Sequence, residues 1–348
     1  METIFTRYGD GSPLEMSAGD LMADLEDGSA DAAERGNIPA LNKEELQHLF
    51  EIFKSPYNFV SVERGNEVIL SYDAGTLKIR RVGVNVDRIQ ALQIYEKLFG
   101  ADTMKLCHVD YSFKPIKPIV TMERPILEQA LLSTHIPLFY GAMPNLGLYT
   151  QPDGPFPNPA ELLPQGKIKE AQDSYEATVD VAVNDILYTS KGMHESGADG
   201  INLDTVGAAG DADFQASLIA TEKLRETYPD ICIELGMAGE FILGMHSELE
   251  YDGVRLAGLY PHDQVKLAQK AGVTIFGPVV NTNTSESCPW NLSRAITFMK
   301  ECSRVATIPI HVNMGMGVGS VTVTDHPPVD IVSRASKAMV EICRLDGL

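Results

Sequence analysis

What this chain has least of is a route into or across a membrane. No apolar run approaches the roughly 18 residues that span a bilayer. The opening METIFTRYGDGSPLEM lacks the basic n-region and apolar h-region of a signal peptide. Its five cysteines (Cys107, Cys232, Cys288, Cys302, Cys343) are odd in number, scattered and without a C-x-x-C pair, which excludes a disulfide framework. Basic charge is scarce too: 28 Lys and Arg stand against 48 Asp and Glu, a formal net charge of −20. Such a field repels nucleic acid and anionic lipid, so neither is expected as a partner. Two readings stand for the acidic excess, a solubility charge or a docking face for a protein. The expectation is a cytoplasmic protein.

Familiar catalytic signatures are missing as well. There is no nucleophilic Ser elbow, no Walker loop and no H-E-x-x-H. Cys107-His108 is the one adjacent Cys/His pair, too little to predict a metal site.

What is present is core material, 44% hydrophobic with 22% charged over 348 residues, enough for one large α/β domain or two small ones. Residues 1–99 read as an extension. Ser17-Ala18-Gly19-Asp20 fits a capped start for a short helix through Asp27, and Asn42-Lys43-Glu44-Glu45 starts another with Leu46, Leu49, Phe50 and Phe53 on one face. Alternation and Gly turns predict a hairpin over residues 58–79.

From residue 100 a rhythm sets in. MKLCHVDYS (104–112), IPLFYGAMPN (136–145), ADGINLDTVG (198–207), ICIELGMAGE (231–240), GVTIFGPVVNTN (272–283) and IPIHVNMGMGVG (308–319) are short apolar runs that end in Gly or polar residues. Helical stretches separate them, and from Ala198 onward the starts lie about 33 to 41 residues apart, the length of a βα unit. A doubly wound sheet fits this rhythm. A TIM-type (β/α)8 barrel over residues 100–348 fits better, because polar residues gather at so many successive strand ends. Helix-like PPVDIVSRASKAMVEICRL leads into Asp346-Gly347-Leu348, which reads as the first half of a seventh strand. The barrel is then incomplete at its C-terminus by about one and a half strands.

The strand ends supply the candidate site: His108 and Asp110; Tyr140, Met143 and Asn145; Asn202 and Asp204; Glu234; Asn281 and Asn283; His311 and Asn313. Asn202 and Asp204 alternate along INLD and so face one side of their strand. Asn281 and Asn283 have the same spacing, but N-T-N-T-S also reads as a helix-capping run. Glu240 and His246 fit structural roles better. The Gly315–Gly319 loop offers a weak phosphate-cradle signal, because no helix opens immediately behind it. That loop supports an alternative reading as a phosphate-binding barrel lyase, which would want a Schiff-base Lys at a strand end that the chain lacks.

FGADTMKLCHVDYSFKPIKPI, IPLFYGAMPNLGLYTQPDGPFPNP, IELGMAGEFILGMH, YDGVRLAGLYPH, FGPVVNTNTS, WNLSRAITFMK and IPIHVNMGMGVG closely resemble the pyrrolysine-containing dimethylamine:corrinoid protein methyltransferases. The resemblance runs from YGDG near residue 8 to VSRASKAMVEICRLDG and departs from the family's pattern at 72–97. It implies methyl transfer from dimethylamine to the Co(I) corrinoid of a cognate corrinoid protein, with release of monomethylamine, in methanogenesis from methylamines. The chain has no D-x-H-x-x-G cobalamin-binding motif, in keeping with a corrinoid that arrives on a separate protein. The resemblance further implies a pyrrolysine directly after Leu348, so that the chain is a truncation at an in-frame amber codon. A non-catalytic fragment is the alternative. A homo-oligomer is expected.

Within this reading Glu234 is the acid or orienting carboxylate, with His311 and Asn313 the other catalytic candidates. Asn202, Asp204, Asn281, Asn283 and Tyr140 are substrate-binding candidates, and no cofactor or metal is bound by the chain itself.

Overall fold

The computed structural model describes residues 3–63, 66, 68, 70–73, 77–78, 85–86, 105–109, 138–141, 146–244, 246–314, 318–321 and 327–348. The chain divides into two compact units. One is Met1–Val68, Tyr260–Lys266 and Gly277–Leu348; the other is Ile69–Leu259 and Leu267–Phe276.

The second unit is built on a parallel sheet. β3 (Leu70–Asp73), β6 (Lys105–Val109), β7 (Leu138–Gly141), β8 (Gly200–Val206), β9 (Cys232–Met237) and β12 (Ile275–Gly277) form six strands in the order β12-β9-β8-β7-β6-β3. Every pairing from β3 through β9 is parallel. The fold is α/β, and five of the apolar runs read from the sequence are these strands. Among the described residues of 58–79, where a hairpin was expected, no antiparallel pair forms within that stretch. β3 pairs with β6 in parallel, and the antiparallel pair in this region joins β4 (Leu77–Lys78) to β5 (Asn85–Val86). A local turn signal nominates the nearest neighbour in sequence, whereas β3 gains more by extending a sheet already formed.

Ile201, Leu203, Ile233 and Leu235 are fully buried and fix the register of β8 against β9, where a slip of one residue would turn the two on the slipped strand to the other face. α3 (Pro159–Leu162) and α4 (Ile168–Glu195) precede β8, and α5 (Asp211–Thr227) links β8 to β9. α4 is a 28-residue helix whose buried face mixes Ala171, Ser174, Thr178, Ala182, Thr189 and Ser190 with few large apolar residues. A short antiparallel pair, β10 (Glu250–Tyr251) and β11 (Val254–Arg255), follows β9. α6 (Pro261–Ala271) begins in the first unit and ends in the second.

In the first unit β1 (Thr3–Arg7) and β2 (Pro13–Ser17) form a hairpin. α1 (Ala18–Gly36) starts with Ser17 accepting from the Asp20 amide, as its sequence predicts. It runs on past Asp27, however, because its later turns pack on α7 (Cys288–Val305). Trp290 Nε1 donates to Asp27 at 2.8 Å, Ser293 Oγ donates to the Leu25 carbonyl at 2.5 Å, and Arg294 meets Asp31 at 2.6 Å. α2 (Lys43–Lys54) has the full Asn42/Glu45 capping box, with Leu49, Ile52 and Phe53 buried and Leu46 and Phe50 at the margin. α8 (Val329–Glu341) follows the 308–321 segment. That segment forms no extended strand among the described residues. A single parallel bridge joins His311 to Gly347, with Val312 N donating to the Gly347 carbonyl at 3.3 Å. Gly347 thus runs parallel to 310–312 at that bridge.

Candidate functional site

Parallel register brings Asn202 on β8 directly opposite Glu234 on β9. Both are nearly inaccessible, at 2% and 3% exposure. A polar amide and a carboxyl buried side by side cost several kcal/mol unless each is hydrogen-bonded, so a fold keeps such a pair where it has work for it. Asp204 lies two residues beyond Asn202 and is half-buried. Its Oδ1 accepts the Thr205 amide at 2.8 Å. It also points at Gly236, two residues beyond Glu234, where a Cβ would stand 2.7 Å from that same oxygen. Glycine at 236 therefore makes room for the Asp204 carboxylate, and Asn202, Asp204, Glu234 and Gly236 make one polar patch across two strands.

The strand end beside this patch is irregular. The register shifts between Leu203 and Val206, and Thr205 is held at φ 58°, a left-handed conformation that a β-branched residue adopts only when its surroundings enforce it. Asp204 accepting from Thr205, and Thr205 Oγ1 donating to the Asp204 carbonyl at 2.7 Å, supply part of that enforcement. Tyr140 on β7 stands opposite Ile201, and Gly141 is the residue opposite Asn202. Asp110, Met143 and Asn145 fall outside the described residues.

Sequence reasoning passed over two acids just past β8. Asp213 is 2% exposed, and its Oδ2 accepts the amides of Gly207 at 3.0 Å and Ala209 at 3.2 Å. Burial pushes its carboxyl up to about 7, against the pull of those amides. Asp211, also buried, is raised by burial, with Ser247 and Arg255 acting against the rise. D-A-D at the start of a helix reads as ordinary first-turn acid, and nothing local announces its burial.

The other candidates belong to the first unit. His311 is buried and bridged to Gly347, and Asn313 is half-buried two residues on. Asn281 is exposed, and its carbonyl accepts from Arg294 at 3.3 Å. Asn283 exchanges bonds with Asn291, whose Oδ1 accepts the Asn283 amide at 2.8 Å and whose Nδ2 donates to the Asn283 carbonyl at 2.9 Å. Its own Oδ1 accepts the Ser285 amide at 3.0 Å. These bonds organise the turn into α7, whose N-cap is Ser287. Of the Gly-rich loop, Val318 to Val321 are buried, and the Ser320 carbonyl accepts from Cys288 Sγ at 3.3 Å. Among the described residues no cluster of His, Cys, Asp and Glu is suited to a metal ion, and no helix is long and apolar enough to cross a membrane.

Solved structures similar to this chain include the homocysteine methyltransferase MmuM of Escherichia coli, at 11% identity over 78% of this chain and 96% of that one, with a TM-score of 0.40. The YdjI aldolase of Escherichia coli K12 is 9% identical over 80% of this chain and 89% of that one, at 0.37. Dihydropteroate synthase of Xanthomonas albilineans is 12% identical over 82% and 87%, also at 0.37. A far more specific match covers residues 2–348, the dimethylamine methyltransferase (Dimeth_PyL) family. With that match along its whole length, the chain belongs to the dimethylamine methyltransferase family and is a methyltransferase.

Proposed function

We propose that the protein transfers a methyl group from dimethylamine to the Co(I) corrinoid of a cognate corrinoid protein, releasing monomethylamine in methanogenesis from methylamines. The observation that carries the reading is the buried Asn202–Glu234 pair, with Asp204 beside it, in a chain that matches the family end to end. Cobalt attacks the methyl carbon, the C–N bond breaks toward nitrogen, and Co(I) becomes methyl-Co(III). An amine leaves readily only as a neutral molecule, so its nitrogen must carry a proton when the bond breaks. In this reading Glu234 holds that N–H and Asn202 orients it, while Asp204 supplies the negative charge that draws a dimethylammonium cation in.

Pyrrolysine, implied by the resemblance directly after Leu348, would supply an electrophilic imine for holding the amine. The residues present fit such a neighbour: His311 is held by its bridge to Gly347, and half-buried Asn313 offers an amide beyond it. The reading also places the six-stranded sheet in a TIM-type barrel, puts the enzyme in the cytoplasm and expects a homo-oligomer.

The test mixes the full-length protein from its natural host with the corrinoid protein reduced to Co(I), then adds dimethylamine. Loss of the Co(I) absorbance with an equal yield of monomethylamine supports the proposal. A stable Co(I) spectrum with no monomethylamine overturns it. Peptide sequencing across Leu348 decides the pyrrolysine assignment separately.

A further inference from the structure

We propose that Asp213 is a positioning residue for the Asp204 end of the site, acting through the turn at residues 205–210, with a hold set by its own protonation. The inference rests on the reading of Asp204 as part of the substrate site.

The link is a continuous chain of hydrogen bonds. Asp213 Oδ2 accepts from the Gly207 and Ala209 amides at 3.0 and 3.2 Å. Within the same turn, the Ala208 amide donates to the Thr205 carbonyl at 3.1 Å, and the Gly210 amide donates to the Gly207 carbonyl at 3.0 Å. Thr205 in turn donates its amide to the Asp204 carboxylate at 2.8 Å. Gly207 and Gly210 have φ of 86° and 93°, so the turn is one whose shape its own backbone does not dictate. With Thr205 at φ 58°, it keeps its form because something outside it holds it. Asp213, anchored on the first turn of α5, is that anchor.

The device responds to protons because of what surrounds the carboxyl. Asp213 is 2% exposed and, among the described residues, Oδ1 has no hydrogen-bond partner. Burial raises its proton affinity, and the groups that oppose the rise are the backbone amides of Gly207, Ala208 and Ala209. Charged and titratable groups nearby address other partners: Arg255 on β11 acts on Asp211, which shares α5 with Asp213, Asp211 in turn acts on Tyr175 of α4, and Asp204 turns to Thr205 and Gly236. A proton taken at Oδ1 leaves Oδ2 a weaker acceptor, and the charge-assisted grip on the turn becomes an ordinary hydrogen bond.

The test uses the full-length enzyme with Asp213→Asn, which keeps a neutral acceptor, and Asp213→Leu, which keeps the volume and removes it. Amide hydrogen exchange at Gly207 and Ala209, referred to remote amides, is measured between about pH 5.5 and 8.5, a window centred on the carboxyl's raised value. In the parent protein, protection at these two amides rises with pH relative to the remote ones. In Asp213→Asn this excess pH dependence disappears. KM for dimethylamine should follow the same pattern: a step near neutrality in the parent, none in Asp213→Asn, and a value raised about tenfold at every pH in Asp213→Leu. A merely structural Asp213 would lower the melting temperature of the variants and leave the shape of the KM profile alone, which would overturn the inference. Equal exchange behaviour in parent and Asp213→Asn would overturn it as well. If the parent itself transfers no methyl group, the reaction reading fails, and the exchange data still decide the hydrogen-bond link.

Discussion

At the scale of single residues, the β8–β9 patch makes two sharp demands. Glu234 is given proton handling, so Glu234→Gln, which keeps shape and burial but not the exchangeable carboxyl, should lower kcat/KM for methyl transfer by about 10²–10⁴-fold. Its thermal midpoint should stay near that of the parent. A variant that loses stability and activity together would make Glu234 a structural residue. Gly236→Ala tests the neighbouring carboxylate. The new methyl would stand 2.7 Å from Asp204 Oδ1, so the carboxylate must swing away and release the Thr205 amide. We expect about a tenfold loss in kcat/KM, mostly in KM, with the Thr205 amide resonance shifted. An unmoved Thr205 resonance would show that the carboxylate never faced position 236.

At the scale of elements, how much could be read in advance depended on whether a signal was local. β6, β7, β8, β9 and β12 were legible because each is an apolar run closed by Gly or polar residues, and α5, α6, α7 and α8 because each is a helix-length stretch following such a run at βα spacing. α4 was not, since it lies in the longer interval between β7 and β8, and six of its ten buried residues are Ser, Thr or Ala. The partner of β3 was illegible because parallel pairing joins residues far apart in sequence. Within the site, Asn202, Asp204 and Glu234 were found by alternation at strand ends. The Gly236 vacancy and the burial of Asp213 exist only once the strands are paired.

The α1–α7 contact carries an element-scale prediction of its own. Gly28 faces Trp290 so closely that a Cβ would stand 2.2 Å from its carbonyl oxygen. Gly28→Ala should therefore destabilise by about 1–3 kcal/mol, in spite of the roughly 1 kcal/mol that alanine gains over glycine in a helix. Gly19 lies in the same helix, and its nearest atom is Ser17 Oγ at 3.8 Å. Gly19→Ala should raise stability by up to about 1 kcal/mol, because propensity acts there unopposed. Urea unfolding of the two variants checks both signs; two changes of the same sign would mean the helices do not approach so closely.

At the scale of the whole molecule, the titrating groups pull stability in opposite directions, and their order along the pH axis predicts its shape. Asp213 has its carboxyl raised by burial to about 7 from an unfolded value of 3.8. Between those values the folded state binds a proton that the unfolded state does not, so stability grows as pH falls through 7. The full span amounts to about 4 kcal/mol as an upper bound. The net charge of −20 acts in the same sense, since acidification relieves self-repulsion. His262 opposes this: burial lowers its proton affinity, with Asp263 acting the other way, so the unfolded chain protonates first and stability is lost as pH falls below about 6.5. Glu301, held below its ordinary value by Arg304, adds a further loss as pH falls below the unfolded carboxylate range. Stability should therefore rise from pH 8.5 to a maximum at about pH 5.5–6.5 and collapse below about pH 4.5. Urea midpoints across that range measure it, and Asp213→Asn should flatten the alkaline side while leaving the acid collapse in place. A maximum at or above pH 8, or an alkaline limb unchanged in Asp213→Asn, would mean that the buried carboxyl is ionised throughout and that its three backbone amides suffice to stabilise the charge.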